Sequence, residues 1–404
     1  GNASATGPEI NLGWEPQYLL IKVSGTSGNW IVFDSMRGLA DGNEDKRFDA
    51  NQTDAESTKD WVDITSTGFK ITVDDGDVNS NNESHIYVAI RRSDGYVGKP
   101  ADAGTSVFAM DAGAGSSTVP NFDSTFPVDF AMARAISSSS AWNVGARILG
   151  AKYGETDSNA AWLAANSFLW DSNVGWNNYS GWDSSAQSWM WKRHAGFDVV
   201  AYTGDGVAGR QLPHSMNKVP EMIWCKNRDR AQSWHCYHKG LNGGTTPENW
   251  FLKLNTTDNE GEQTSVWNDT APTSTVVTVG SDTAVNYNGD DHLMLLFASV
   301  DGISKVGSYT GTGSQITITT GFQPRFVLIK RTDSATNGEW YTYDTLRGLS
   351  GSFGTGNTKW LPLNDNAAQS ECGSCLANFA TGFYVGTSGR HNTSSGKYIY
   401  YAHA

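Results

Sequence analysis

Cysteine is scarce: four in 404 residues, too few to staple a chain of this length, so its folding must rest on a buried apolar core. Charge is scarce as well. Charged residues are 18% of the chain, and 29 Lys and Arg face 42 Asp and Glu, for a net charge of −13. No basic cluster stands out, and a phosphate backbone would be repelled, so no nucleic acid is expected as a partner. No run of about 18 apolar residues occurs, so no membrane insertion is expected. No long window carries apolar residues at i, i+3, i+4 and i+7, the mark of an amphipathic helix. The opening GNASATGPEINLG has no initiator Met, basic region or apolar run, and the chain is expected to be trimmed or part of something longer. Catalytic signatures are missing too. GxSxG, HExxH and GxxxxGK[ST] do not occur, and the eight His are scattered. Carboxylates are plentiful, but no two are singled out as a glycosidase pair. The expectation is a non-enzyme without cofactors.

What the chain does have is turn residues and rings: 44 Gly, 16 Trp and 12% aromatics, the mix of an all-β protein. One hairpin recurs. It runs PRFVLIKRTDSATNGEWYTYDTLRG from Pro324 to Gly348, PQYLLIKVSGTSGNWIVFDSMRG from Pro16 to Gly38, and PEMIWCKNRDRAQSWHCYHKG from Pro220. A blurred copy, PVDFAMAR, begins at Pro127, with Trp142 at the place of the hairpin Trp. The four prolines are 111, 93 and 104 residues apart, so the expected organisation is four units. They cover 1–95, 96–200, 201–304 and 305–404, the second being degenerate and Trp-rich. ASATGPEINLG and GSQITITTGF read as edge strands of the first and last units. About a hundred residues and six strands per unit fit tandem β-sandwiches of jelly-roll or lectin-like type. A four-bladed propeller is the competing geometry, but its blades are nearer 45 residues.

Five features invite a closer reading, each with a structural explanation beside it. The stretch WDSNVGWNNYSGWDSS of the second unit holds Trp170, Trp176, Asn177, Asn178, Tyr179, Trp182 and Asp183. Flat rings beside amides and carboxylates suit sugar binding; the same rings also fill cores and subunit interfaces. The loop from Asp74 to Glu83 has oxygen ligands at alternate positions, and Asp75, Asp77 and Asn79 would serve calcium. It lacks the expected Gly, and Asp and Asn are ordinary turn residues. Cys225 and Cys236 read as cross-strand neighbours, bridged or free. Cys372 and Cys375 form a lone CxxC, half of a zinc site, for which a local bridge or two thiols is the simpler reading. Finally, Asp34 with Arg37 and Asp344 with Arg347 recur at the hairpin exit, as a turn pair would.

The P-x-φ-φ-φ-φ-[KR] strand, the W-x-x-[YF]-[DH] strand, the YTGxG linkers and the TGF strand together resemble a repeat in virion structural proteins of marine tailed bacteriophages, cyanophages among them. NVGWNNYSGWDSS, SWMWKRHAGFDVVAYTGDG and the run from Gly206 to Val300 carry the likeness most fully. The resemblance covers nearly the whole chain. It implies a virion-surface appendage protein, a tail fibre or receptor-binding component that adheres to the host surface, with other virion proteins and a host glycan or protein as partners. By the same analogy it would be a homo-oligomer, with a trimer usual for such fibres. It implies no catalytic residues. A capsid decoration, head fibre or spacer without receptor binding is the alternative, and a surface-polysaccharide depolymerase the more distant one.

Overall fold

The computed structural model describes residues 1–42, 45–91, 97–354 and 358–404, so the expected boundary between 95 and 96 lies outside the described residues. The fold is an all-β sandwich architecture of antiparallel sheets, and no helix among the described residues exceeds four residues. The sheets come in four pairs, each a large sheet faced by a small one. The same strand order recurs in all four large sheets.

That order can be counted across the sheet. Position one is an outer strand: Phe108–Ala112, Phe197–Thr203 and Ser304–Thr310 in units two, three and four. Position two is the last strand of each unit: His85–Arg91, Ala186–Trp191, Asp291–Phe297 and Lys397–His403. Positions three and four are the recurrent hairpin. Its first strands are Pro16–Val23, Phe130–Ala135, Met222–Asn227 and Phe326–Arg331. Its second strands are Trp30–Asp34, Asn143–Ala146, His235–His238 and Trp340–Asp344. Position five is Asp45–Asp49, Lys152–Glu155, Trp250–Lys253 and Lys359–Pro362, and a short strand follows at position six. The first unit has no strand at position one among the described residues. Phe197–Thr203 pairs along its whole length with Asp291–Phe297, so the third sheet opens ahead of the expected residue 201. Glu9–Asn11 and Ile316–Thr319 lie at the edges of the small sheets.

Period-two alternation explains both cores. In Asp291–Phe297, Met294 and Leu296 face the small sheet of their own unit, while Leu293, Leu295 and Phe297 face a core shared by all the units. A strand buried on both faces reads as a continuous apolar run, here HLMLLF. Units two, three and four each keep a separate inner core, and their outer faces meet in the shared one. Two tight turns join them: His194 bridges to Phe197, and Val300 to Ser304.

The hairpin register corrects one expectation. Trp224 pairs with Cys236, and Cys225 with His235, so the two thiols are one residue out of step. A one-residue offset reverses the face: Cys225 lies in the inner core of the third unit and Cys236 in the shared core, both as free thiols. Cys372 and Cys375 are joined in a local disulfide.

Candidate interaction face of the first unit

Units two, three and four hold one another in a closed cycle through the hairpin. Trp142, Trp234 and Trp340 open the second hairpin strand or stand immediately beside it. Each indole Nε1 donates to the carbonyl of the last position-five residue of another unit. Trp142 reaches Pro362 at 2.7 Å, Trp340 reaches Lys253 at 2.9 Å, and Trp234 reaches Glu155 at 2.9 Å. Unit two thus enters unit four, unit four enters unit three, and unit three enters unit two. The cation of the first hairpin strand follows the same path. Arg134 donates to the carbonyls of Asp365, Asn366 and Ala367. Lys330 donates to those of Thr257 and Asp258, and Lys226 to that of Asn159. Burial lowers Lys226 to about 8 and Lys330 to about 7, because desolvation penalises the charged amine. The loop carbonyls around each amine stabilise its charged form against that penalty.

The first unit carries the same face without a partner of this kind among the described residues. Register aligns Tyr18, Leu20 and Lys22 with Asp34, Val32 and Trp30, and with Ile90, Val88 and Ile86. These positions correspond to Phe326, Leu328 and Lys330, with Trp340, Ile399 and Tyr401, in the shared core. In the first unit, however, Trp30 is 40% exposed, Phe48 41%, Val88 51%, Ile86 52% and Ile90 55%. Trp340 is 1% exposed. Soluble proteins seldom leave so contiguous an apolar patch uncovered unless it binds something. Asp34 and Arg37 sit at its rim. They form the same capped turn as Asp344 and Arg347, each closed by a left-handed Gly, at Gly38 and Gly348. The first pair is partly exposed. The second is buried, and there Asp344 also accepts from Trp189 Nε1 of the second unit at 2.9 Å.

The first unit is fastened to the others by a different side. Arg193 pairs with Glu15 and Asp198, Arg228 pairs with Asp41, and Lys152 donates to the carbonyl of Gly42 at 2.9 Å. A cleft of about 360 Å³ at this junction is lined in part by Asp41 and Asp63. Desolvation raises Asp41, and raises Asp63 to about 7. Their oxygens are engaged structurally: Asp63 accepts from the amide of Gly42, and Asp41 from Arg228.

The residues expected to bind sugar are brought together, but as a core. Trp170 and Trp176 stack at 4.9 Å, with Phe122, Phe168 and Trp182 around them. Trp176 is fully buried and donates to Ser188 Oγ; Trp170 donates to the carbonyl of Gly150. Asn177 is buried, with its amide on the carbonyl of Ser167. Asn178 is half-buried, and Tyr179 and Asp183 stand exposed, as do the small and polar residues flanking the buried indoles. The ring faces of the three indoles are therefore closed to a ligand. The alternating oxygens of the 74–83 loop are likewise used inside the fold. Asp75 caps the one-turn helix Gly76–Asn79, Asp77 pairs with Arg47, and Asn79 donates to the carbonyls of Ser4 and Val73. No group of three or more His, Cys, Asp or Glu is arranged to hold a metal among the described residues.

Two sets of residues escaped the sequence reading. Asn79, Asn286 and Asn392 are buried amides that each tie the start of a unit to its last loop. Their shared spacing ahead of the last strand was the available signal. The histidines are the other set. Burial lowers His194, His238 and His391 to about 3 and His292 to about 4, so they stay neutral as packing groups.

Comparison with known proteins adds one match. No curated protein matches the chain. A family model described as a domain of unknown function, DUF7483, matches residues 1–93 and 148–404, most of the chain, and the chain belongs to that family.

Proposed function

We propose that this protein is a non-enzymatic structural component of a phage virion appendage, and that it assembles as a homotrimer through the exposed face of its first unit. One observation carries the assembly reading. The first unit repeats, in register, the Trp and cation by which three other units hold one another in a cycle, yet Trp30 is 40% exposed and the Lys22 amine donates to the carbonyl of Val23 in its own strand. Three copies closing in the same way would place Trp30 Nε1 of one on the carbonyl of Asp49 of the next. Lys22 would reach the carbonyls near Thr53. The phage assignment is supported by the resemblance of the hairpin, YTGxG and TGF segments. Adhesion to a host glycan through Trp170, Trp176 and Trp182 is not part of this reading, because those rings pack against one another.

Sedimentation velocity across a concentration series tests the assembly. The wild type should pass from monomer to trimer, and Val88→Glu, an exposed change that leaves the fold intact, should remain monomeric. A wild type that stays monomeric at the highest reachable concentration would sink the proposal. A map of the intact particle would then test the location by showing whether these chains stand in threes at its surface.

A further inference from the structure

Among the described residues, strand His85–Arg91 of the first unit pairs on one side only, with Pro16–Val23. Its counterparts in the other units pair on both sides. An unpaired edge with Ile86, Tyr87, Val88 and Ile90 exposed is a template for another strand. The structure shows where such a strand would end. In units three and four the outer strand runs directly into Gly204 or Gly311. Each Gly exchanges two backbone bonds with the turn before the last strand. Gly204 N donates to Asp290 O at 2.8 Å and Gly289 N to Gly204 O at 2.9 Å. Gly311 N donates to Gly396 O and Ser395 N to Gly311 O, both at 2.8 Å. Gly1 makes the same exchange: its amine donates to Glu83 O at 2.7 Å, and Asn82 N donates to Gly1 O at 3.1 Å.

The next residue confirms the alignment. The amides of Asn2, Asp205 and Thr312 each donate to the side-chain oxygen of the buried Asn of their unit, at 2.8, 3.0 and 2.7 Å. Close packing requires glycine here as well. A Cβ on Gly1 would come within 2.3 Å of Ser80 O, and one on Gly204 or Gly311 within 2.1 Å of a backbone oxygen.

A cavity beside this edge specifies a side chain. It has a volume of about 280 Å³, and its lining includes Ile21, Phe69, Ile71, Val78, His85 and Tyr87. His85 Nε2 is buried there without a hydrogen-bond partner. In units three and four the corresponding space is filled by Tyr202 and Tyr309, each two residues before the Gly. Tyr202 stacks on His292 and donates to the carbonyl of Val285; Tyr309 stacks on Tyr398 and donates to the carbonyl of His391. Val285 and His391 each precede the buried Asn of their unit, as Val78 does.

We propose that the free edge of His85–Arg91 is a strand-acceptor site, filled by an extended segment of about seven residues that leads into Gly1 and anchors a tyrosine in this cavity. The segment runs antiparallel to Ser84–Ile90, as Phe197–Thr203 does to Asp291–Phe297. Its tyrosine stands second before Gly1 and donates to the carbonyl of Val78. Main-chain bonds supply the affinity, and the aromatic pocket supplies the register. The open edge, the register and the cavity carry the proposal, independently of any trimer.

The test extends the full chain at Gly1 by SKVGSYT, the outer strand of the fourth unit, and reads amide hydrogen exchange over residues 84–91 at monomer concentrations. Protection of that segment should rise by roughly tenfold or more over the unextended chain. Changing the tyrosine of the extension to alanine should abolish most of the gain. The same heptapeptide added in trans should protect far less at equal concentration, because linkage raises its effective concentration. Unchanged exchange in the extended chain, or equal protection with alanine in the extension, would overturn the proposal. Equal protection by the free peptide would overturn its continuity with Gly1.

Discussion

Trp340 and Trp30 occupy the same position of the same hairpin, one buried and one exposed, and truncating each to alanine separates the two environments. Trp340→Ala removes a 1%-exposed indole from the shared core. Such deletions cost about 3–5 kcal/mol. The change also orphans the carbonyl of Lys253, which the indole held at 2.9 Å, and an unsatisfied buried acceptor adds about 1–3 kcal/mol. The expected loss is therefore at least ~4 kcal/mol. Trp30→Ala in the monomer removes a ring that is 40% exposed, and a surface change of this kind is expected to cost roughly 1 kcal/mol or less. Urea unfolding followed by fluorescence reads both. With a slope of roughly 3 kcal/mol/M or more for a chain of this size, Trp340→Ala should lower the midpoint by about 1 M and Trp30→Ala by about 0.3 M. A concentration series adds the second half of the test. If copies close on the face of the first unit, the wild type gains stability with concentration and Trp30→Ala does not. Equal losses for the two variants at every dilution would refute the reasoning, since Trp30 would then be as buried within one chain as Trp340.

Three further outcomes are expected. Asn286→Ala should destabilise by about 2 kcal/mol or more, because it frees the carbonyls of Val207 and Gly280 together; thermal melts would read it, and a neutral result would remove the amide clamp from the account. Arg193→Met leaves Glu15 and Asp198 buried without their cation and should cost about 3–5 kcal/mol; calorimetry should show the first unit melting ahead of the rest, and an unchanged single transition would contradict its role as a fastener. Stability should fall as pH drops from 6.5 towards 4. Four histidines lowered to about 3 or 4 stay neutral in the fold while the unfolded chain takes up their protons, and this outweighs Asp45 and Asp63, raised to about 8 and 7, which hold a proton in the fold that the unfolded chain has lost. Each net proton is worth roughly 1.4 kcal/mol per pH unit, and unfolding midpoints that rise with acidity would reverse the sign.

The sequence made the architecture legible because the hairpin keeps its Pro, cation and Trp, and in the first and last units its Asp-Arg turn, while its loops vary. Nearly continuous apolar runs such as FVLIK and HLMLLF announce strands buried on both faces. What could not be read was which face meets what. Trp30 and Trp340 stand in the same local sequence, and only the presence or absence of a neighbouring unit separates them. Composition around Trp176 could not distinguish a sugar platform from a packed core, since both need rings flanked by amides. The cysteine pair failed on a smaller margin: shifting the turn centre by half a residue exchanges facing side chains for opposite ones. The loop at Asp75 looked like a cation site because a capping carboxylate and a ligand carboxylate use the same residue types at the same spacing.

The turns at His194 and Val300 have one more consequence. A Cβ on Gly104 would meet the carbonyl oxygen of Ala404 at 2.6 Å, and Arg325 donates to the carbonyl of Phe108 at 2.7 Å. The entry to the second unit thus lies against the exit from the fourth, and the two junctions between them are short turns. The cycle of three has no privileged starting point. Joining Ala404 to the residues before Phe108 and opening the chain at Asp301 would give a permuted order with the same contacts. The succession of these units along the polypeptide is a matter of how the chain was strung, and the contacts among them are indifferent to it.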